Sequence, residues 1–222
     1  MAQTTLILSV EGNIGVGKST MLNRIKKFLG DTINGRKIIF LQEPVDQWQS
    51  IKGNDGEDIL TKFYSDQEKY AFPFQMMAYI SRQAMLIDAV EKNPGSVIIS
   101  ERCIHTDKNV FAYMLHNDGK IEDVNYAIYN MWFDTFSNKC KYNGHIYLRA
   151  SPDVCHSRVK VRSRSGETIP LDYLVKCHDS HDNWLVQSKN TIMISVDEDM
   201  NTAEEKYEEI CSKIREYIIS QL

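Results

Sequence analysis

The stretch Glu11–Thr20, with the sequence EGNIGVGKST, constrains the fold of this chain more than any other. Gly12 is followed by four residues and then by Gly17–Ser19, which is the spacing of a phosphate-binding loop. The apolar run Leu6–Val10 precedes the loop, and apolar residues recur at helical spacing after it. The sequence therefore predicts a strand, a glycine-rich loop and a helix, which is the local structure that this motif requires.

The chemistry of this loop indicates a site for a nucleoside triphosphate. Its glycines allow backbone N–H groups to point at an anion, and the N terminus of the following helix adds partial positive charge. Lys18 is placed to reach the β- and γ-phosphates, and the Ser19 hydroxyl is a ligand for Mg²⁺. The residues expected to bind the nucleotide are Gly12, Asn13, Ile14, Gly15, Val16, Gly17, Lys18, Ser19 and Thr20.

The rest of the chain alternates short apolar strands with helical segments. Such alternation predicts an α/β fold of the P-loop kinase type, with a five-stranded parallel sheet and helices on both faces. A single domain is expected over residues 1–222. Strands are predicted at about 6–10, 37–41, 97–100, 145–148 and 192–196. Helices are predicted after the loop and at about 58–65, 73–92, 106–116, 121–139, 152–162, 171–187 and 202–221, with Pro73 in the first turn of its helix and a simple turn at 30–35.

Composition argues against several classes of protein. The formal net charge of −4 disfavours a general nucleic-acid binder, and no apolar run approaches the length needed to span a membrane. The five cysteines include no C-x-x-C pair, which is typical of free thiols in a reducing compartment. Because Met1–Gln3 leads almost directly into the first strand, no targeting segment is expected and a cytoplasmic location is predicted.

Charged residues follow two of the predicted strands. Glu43 comes after the second strand and Glu101-Arg102 after the third. Ligands of parallel sheets bind beyond the carboxyl ends of the strands, at the same edge as the phosphate loop. A buried carboxylate at this edge is costly unless it has a hydrogen-bonding or ionic partner or a role in the site. A surface salt bridge is the alternative for either residue alone, but their shared edge favours a functional role.

Three arginines form a second charged group. Arg158 and Arg162 share one face of a predicted helix, and Arg164 lies in the loop beyond it. Clustered guanidinium groups suit a phosphate in transfer, and a short loop over about 162–170 is predicted to close over it as a lid. The alternative is a solvated basic face; a chain with a phosphate loop favours the lid.

Several motifs, in order and at similar spacing from about residue 5 to the C terminus, resemble those of the cellular deoxynucleoside kinases. This family includes deoxycytidine, deoxyguanosine and mitochondrial thymidine kinases. The resemblance implies 5′-phosphorylation of deoxyribonucleosides by ATP with Mg²⁺, and a homodimer formed through the 73–92 and 121–139 helices. The motifs are EGNIGVGKST at 11–20, EPVDQW at 43–48, FQ at 74–75, SR at 81–82, ER at 101–102, IPL at 169–171 and HDNWL at 181–185.

The resemblance also implies roles for individual residues. Glu43 is expected to take the proton from the nucleoside 5′-hydroxyl, which Arg102 holds, while Lys18 acts on the donor phosphates. Glu101 with Ser19 is expected to position Mg²⁺. Further roles are implied for Arg162 and Arg164 (phosphates), Arg158 (donor base), Gln75 (edge of the acceptor base), Phe74, Phe111 and Trp48 (its surroundings and faces), and Tyr64 with Glu167 (sugar 3′-hydroxyl).

Arg82 and Asp107 are predicted to select the base. Arg82 follows Gln75 by seven residues, so both project from one helix face, and Asp107 lies just past Arg102. The pair suits cytosine, adenine or guanine, whereas thymine presents a carbonyl oxygen to the carboxylate. The resemblance implies that family members that favour thymidine are apolar at both positions. A structural salt bridge is the alternative interpretation of the pair.

Three alternative functions remain open at this stage. They are a broad-specificity deoxynucleoside kinase that also accepts thymidine, a nucleoside monophosphate kinase and a nucleotide-switched GTPase. The GTPase is disfavoured because no Asn-Lys-x-Asp motif is present. The monophosphate kinase is disfavoured because Glu43 suits a hydroxyl better than a phosphate.

Overall fold

The computed structural model describes residues 4–162, 169–198 and 204–222. Its strands are β1 Leu6–Glu11, β2 Thr32–Ile33, β3 Arg36–Leu41, β4 Val97–Glu101, β5 Gly144–Arg149 and β6 Thr191–Ser195. Its α-helices are α1 Lys18–Leu29, α2 Val45–Ser50, α3 Ile59–Ser65, α4 Gln67–Lys92, α5 Ile104–Thr106, α6 Tyr113–Asn117, α7 Asp123–Phe136, α8 Pro152–Arg162, α9 Leu171–Leu185 and α10 Glu204–Ser220. A π-helical turn, Asp107–Ala112, joins α5 to α6, and a short 3₁₀ turn, Ser137–Lys139, follows α7.

The strands form one sheet in the order β2-β3-β4-β1-β5-β6. β1 is central and pairs in parallel with β4 on one side and β5 on the other, while β3 and β6 extend the parallel sheet at either end. Because β1 leads into the phosphate loop, the loop opens at the middle of the sheet's carboxyl edge. The predicted α/β class and the five parallel strands are therefore present.

The prediction of five strands was nevertheless wrong in number, because a sixth strand is present. β2 pairs antiparallel with β3, with Ile33 opposite Arg36. Asn34 and Gly35 connect them with φ values of 47° and 77°, the left-handed conformation that both central residues of a type I′ hairpin turn require. The Asn-Gly pair is the sequence signal for this hairpin turn, whereas only a simple turn at 30–35 was predicted.

Helices cover both faces of the sheet, as predicted. Alternate residues of β1 and β4 belong to different apolar clusters: Leu8 and Ile99 pack in the cluster that includes α1, α9 and α10. Ile7 and Ile98 point the other way and pack with Leu86 and Ala89 of α4. The central strands are thus buried on both sides, which explains their continuous apolar sequence.

Three helical predictions differ from the structure. α4 begins at Gln67 rather than near Pro73, because the Asp66 side chain accepts a hydrogen bond from the Lys69 N–H and so caps an earlier start. Pro73 consequently lies inside α4, not in its first turn. The 106–116 segment is interrupted by the π-helical turn, and the short helix α2 was not predicted.

The predicted lid lies largely outside the described residues. Arg162 ends α8 and is described, as are Ile169 and Pro170. Arg164 and Glu167, which the sequence assigned to the lid, fall in the range 163–168 and remain predictions. Across the described part of the chain, no helix is long and apolar enough to cross a membrane.

Candidate active site

The phosphate loop joins β1 to α1 through glycines that no other residue could replace without strain. Gly12 has φ 142°, and a Cβ atom placed on it would lie 2.4 Å from the backbone oxygen of Leu148 in β5. Gly17, at φ 101°, caps the N terminus of α1. The Asn13 side chain fixes the loop to α9 by donating a hydrogen bond to Leu174 O at 2.9 Å. The loop is thus held against β5 and α9 before any ligand binds.

Lys18 lies buried at the centre of this loop. Its Nζ donates hydrogen bonds to Asn13 O at 2.8 Å and Gly12 O at 3.2 Å. Burial, reinforced by repulsion from Arg102, lowers the pKa of Lys18 to about 8. An anion bound in the loop would favour the charged ammonium, so Lys18 is suited to neutralise phosphate oxygens.

Glu43 and Arg102 follow adjacent strands and meet at the carboxyl edge of the sheet. Arg102 Nη1 donates to Glu43 Oε1 at 2.7 Å, and Arg82 Nη2 from α4 donates to the same oxygen at 3.2 Å. Arg102 adopts a left-handed conformation with φ 61°, which is uncommon outside glycine and accompanies functional sites. Its backbone N–H bonds Val10 O at 3.0 Å, which helps to hold this conformation.

The environment of Glu43 keeps its carboxylate charged. Burial alone would raise its pKa, but the guanidinium groups of Arg102 and Arg82 outweigh burial and lower the pKa to about 2. Glu43 is therefore an anion throughout the neutral pH range. Only 14% of its side chain is exposed, so little water competes with these contacts.

Arg82 connects Glu43 to Asp107. Its Nε donates to Asp107 Oδ2 at 3.0 Å and its Nη2 to Asp107 Oδ1 at 3.3 Å, a two-pronged contact in which both residues are almost fully buried. Burial alone would lower the pKa of Arg82, but Asp107 and Glu43 outweigh it and raise the pKa above its ordinary value. The structure thus brings together the two residues that the sequence paired for choice of base.

The π-helical turn presents Asp107 and Phe111 to the same space. Its wider turn, closed by a hydrogen bond from the Tyr113 N–H to Lys108 O, brings residues four apart close to one face. Phe111 lies with its ring 5.0 Å from the Arg102 guanidinium. Such turns recur at functional sites, and this one supplies two of the predicted substrate-binding residues.

Aromatic side chains from α2, α3 and α4 pack together in the lining of the same cavity. Trp48 and Phe74 meet edge to face at 5.7 Å, and Phe63 stacks on Phe74 at 4.6 Å. The Trp48 indole donates a hydrogen bond to Ser81 Oγ at 2.9 Å. Gln75 also lines the cavity, and its buried Oε1 makes no hydrogen bond within the described structure. An apolar slot with a free polar edge fits a planar heterocyclic base.

One cavity of about 1000 Å³ contains nearly all of the predicted residues that the structure describes. Gly12 and Asn13 are the two described residues of the prediction that do not line it. Its lining includes Ile14, Gly15, Val16, Gly17, Lys18, Ser19, Thr20, Glu43, Trp48, Tyr64, Phe74, Gln75, Arg82, Glu101, Arg102, Asp107, Phe111, Arg158 and Arg162.

Ser19 and Glu101 lie together where the sequence places a metal ion. Ser19 Oγ donates a hydrogen bond to Glu101 Oε1 at 2.7 Å. A hydroxyl and a carboxylate beside the phosphate loop form the hard oxygen donor set that Mg²⁺ prefers. The residues present therefore fit this ion.

Several residues that line the cavity were not predicted from the sequence. Val196 and Asp197 follow β6, and applying the rule that selected Glu43 and Glu101 to this strand would have found them. Arg158 donates to Val196 O at 2.9 Å and so lies between this segment and the phosphate loop. Tyr173 of α9 also lines the cavity and is 8% exposed, and no sequence signal identified it.

Comparison with known proteins identifies the family to which the chain is similar. The family model for deoxynucleoside kinases matches residues 8–219. The chain is 39% identical over 192 residues to a probable deoxycytidine kinase of fowlpox virus, covering 85% of this chain and 75% of the relative. It is 29% identical over 243 residues to human deoxycytidine kinase, with 95% and 90% covered, and 30% identical over 184 residues to human mitochondrial thymidine kinase 2, with 82% and 64% covered.

The chain therefore belongs to the deoxynucleoside kinase family. It is a phosphotransferase that uses a nucleotide as phosphate donor and a small nucleoside as acceptor. This finding confirms the resemblance from the motifs.

The low pKa of Glu43 predicts how stability depends on acid. Because its folded-state pKa of about 2 lies below the ordinary 4.5, the ionised carboxylate stabilises the fold fully above pH 4.5 and loses this effect as the pH falls towards 2. Between pH 4.5 and pH 2, urea denaturation should show the free energy of unfolding of wild type falling by up to ~3 kcal/mol more than that of Glu43→Gln. Glu57→Gln, at an exposed carboxylate, should follow wild type; parallel curves for wild type and Glu43→Gln would contradict the low pKa.

Proposed function

We propose that this protein transfers the γ-phosphoryl group of ATP, with Mg²⁺, to the 5′-hydroxyl of deoxyribonucleosides. We further propose that it prefers deoxycytidine, deoxyadenosine and deoxyguanosine to thymidine. One observation carries the proposal. The Glu43 carboxylate is held between Arg102 and Arg82 in the same cavity as the phosphate loop, where an anionic base can meet a donor phosphate.

The residues around Glu43 support a route for the transfer. The buried Arg102 Nε makes no hydrogen bond within the described structure, so it is available to the acceptor hydroxyl. Glu43 accepts the proton of that hydroxyl, the 5′-oxygen of the nucleoside forms a bond to the γ-phosphorus, and the bond from the γ-phosphorus to the ADP oxygen breaks. Lys18 balances charge on the donor phosphates. Ser19 and Glu101 would hold Mg²⁺, which neutralises phosphate charge when bound.

The charges of the cavity favour a nucleoside over a nucleotide as acceptor. A nucleoside monophosphate would bring its phosphate towards the Glu43 anion, whereas a hydroxyl can donate a hydrogen bond to it. Arg158 contacts the phosphate loop through its Nη1, which lies 3.4 Å from Val16 O, and Arg162 lines the same cavity one helical turn later, so both suit the donor. Comparing phosphorylation of deoxycytidine with that of its monophosphate separates the two kinase classes in one assay.

Replacing the carboxylate tests the transfer directly. Glu43→Gln keeps the shape of the side chain but cannot accept the proton, so kcat should fall by ~10²–10⁴-fold while ATP binding persists. Steady-state assays with deoxycytidine and calorimetric titration with ATP measure both effects. Asp46→Asn, a matched change in the wall of the same cavity, should remain active. Retention of more than about a tenth of wild-type kcat by Glu43→Gln would rule out Glu43 as the base.

The contact between Arg82 and Asp107 supports the proposed base preference. Both side chains line the cavity beside Gln75, and both are almost completely buried. The Asp107 carboxylate can accept a hydrogen bond from an exocyclic amino group, but thymine presents an oxygen there and would be repelled. A polar mismatch in a buried site discriminates by up to ~10⁴–10⁵-fold. A broad-specificity enzyme and a purely structural salt bridge are the rival interpretations.

Removing both members of the pair tests this preference without leaving a buried charge unpaired. Arg82→Met with Asp107→Ala should raise kcat/KM for thymidine and lower it for deoxycytidine and the purine deoxynucleosides. Lys108→Met with Asp134→Ala removes a solvent-exposed ion pair on the neighbouring helices and should leave the ranking unchanged. The preference is refuted if wild type gives its highest kcat/KM with thymidine.

The surface of α4 and α7 supports a homodimer. Tyr79 of α4 packs on Tyr129 and Phe133 of α7, so the two helices form one surface. Apolar side chains lie exposed on it at helical spacing, and such a patch is typical of an interface. They are Ile80, Val124, Ile128, Met131 and Trp132.

A charge placed in this patch tests the dimer. In sedimentation velocity, wild type should have the mass of two chains, and Met131→Lys should shift the population towards one chain because an unpaired charge is costly in an apolar interface. Met193→Lys is the matched control, since Met193 is equally exposed, at 55%, but lies in the edge strand β6. A monomeric wild type would refute the proposal.

A further inference from the structure

Three side chains that do not line the cavity converge at the base of the phosphate loop. Glu11, Cys103 and His145 each offer a metal-binding atom, and these atoms lie within 4.8 Å of one another. Glu11 ends the central strand β1, Cys103 follows β4 on one side of it, and His145 lies in β5 on the other. The group therefore spans three neighbouring strands, directly behind Gly12.

Glu11 leaves one carboxylate oxygen available within this group. Its side chain is completely buried, and Oε2 accepts a hydrogen bond from Thr106 Oγ1 at 2.5 Å. Oε1 is also buried and has no hydrogen bond of regular geometry within the described structure, although the Cys103 thiol and the Ser9 hydroxyl also interact with this carboxylate. A buried carboxylate surrounded by neutral donors is costly, so a cation or a bound water molecule at Oε1 would stabilise it.

The three donors are those of a zinc site rather than a magnesium site. Thiolate, imidazole and carboxylate are the usual ligands of Zn²⁺, whereas Mg²⁺ selects oxygen atoms alone. The neighbouring groups already orient two of them: Thr106 holds the Glu11 carboxylate, and Ser9 Oγ shares a hydrogen bond of 2.8 Å with His145 Nδ1. Side chains that bind a metal ion usually have hydrogen bonds of this kind from neighbouring groups, which orient them.

We propose that Glu11, Cys103 and His145 bind a divalent ion of the zinc class. Cys103 loses its thiol proton to solvent as the metal–sulfur bond forms, with no change of oxidation state. Three protein ligands leave a fourth position for water or for the Thr106 hydroxyl. His145 is partly exposed and gives the ion a route into the site. The bound ion links β1, β4 and β5 beneath the phosphate loop.

Cobalt tests this site because a cobalt–thiolate bond produces a charge-transfer absorption band. The full chain is first dialysed against a chelator and then titrated with Co²⁺. One equivalent should produce the band, and Zn²⁺ should remove it by displacement. The magnesium site proposed at Ser19 and Glu101 has no thiol, so ions bound there contribute no such band. Absence of the band at excess Co²⁺ would overturn the proposal in favour of a bound water molecule.

Variants identify the ligands. Cys103→Ser should abolish the band, whereas Cys211→Ser, the same change at a buried thiol in α10, should retain it. His145→Gln should weaken Co²⁺ binding by more than the ~10–100-fold lost with an outer-shell partner. Zn²⁺ should raise the Tm of wild type and of Cys211→Ser but not of Cys103→Ser. Persistence of the band in Cys103→Ser, or unchanged affinity in His145→Gln, would refute the site; circular dichroism verifies that each variant folds.

Discussion

The buried contacts of Glu43 with Arg102 and Arg82 are the interaction on which the candidate site depends. Taking charges out of water is costly unless each is paired, and here each arginine also has a second partner or a carbonyl contact. Together with Lys18, Glu101 and Asp107, the group contains three cations and three carboxylates. This group is therefore close to electrical balance. A donor triphosphate would add negative charge, which Arg158, in contact with Val16 O of the phosphate loop, is placed to balance.

The parallel sheet makes this arrangement possible. Because β1, β3 and β4 run in the same direction, the residues that follow them reach a common edge, and Glu43, Glu101 and Arg102 meet the phosphate loop there. Two local features of the backbone also position side chains at this edge. The left-handed conformation of Arg102 turns the chain at the end of β4, and the π-helical turn directs both Asp107 and Phe111 into the cavity. Both features depart from regular geometry at the candidate active site.

Much of the fold could be predicted, because its signals are local. The apolar runs identified all five parallel strands, and the strand-end rule identified Glu43 and Glu101 before any contact was known. The β2–β3 hairpin was not predicted, although Asn34-Gly35 is a sequence signal for its turn. The start of α4 was predicted too late, because Pro73 resembles a proline in the first turn of a helix. The interruption at Asp107–Ala112 had no signal, since π-helical geometry has no distinctive composition.

The sequence by itself determined the phosphate loop, the class of fold and the family, because each depends on residues close together in the chain or on their order. Only the tertiary structure decided that Glu43 has two guanidinium partners. Arg82, which the sequence paired with Asp107, also bonds Glu43, which is 39 residues away. Glu11, Cys103 and His145 approach one another because β4 and β5 flank β1. Strand order is fixed by packing over the whole sheet, so no local pattern of residues could reveal these contacts.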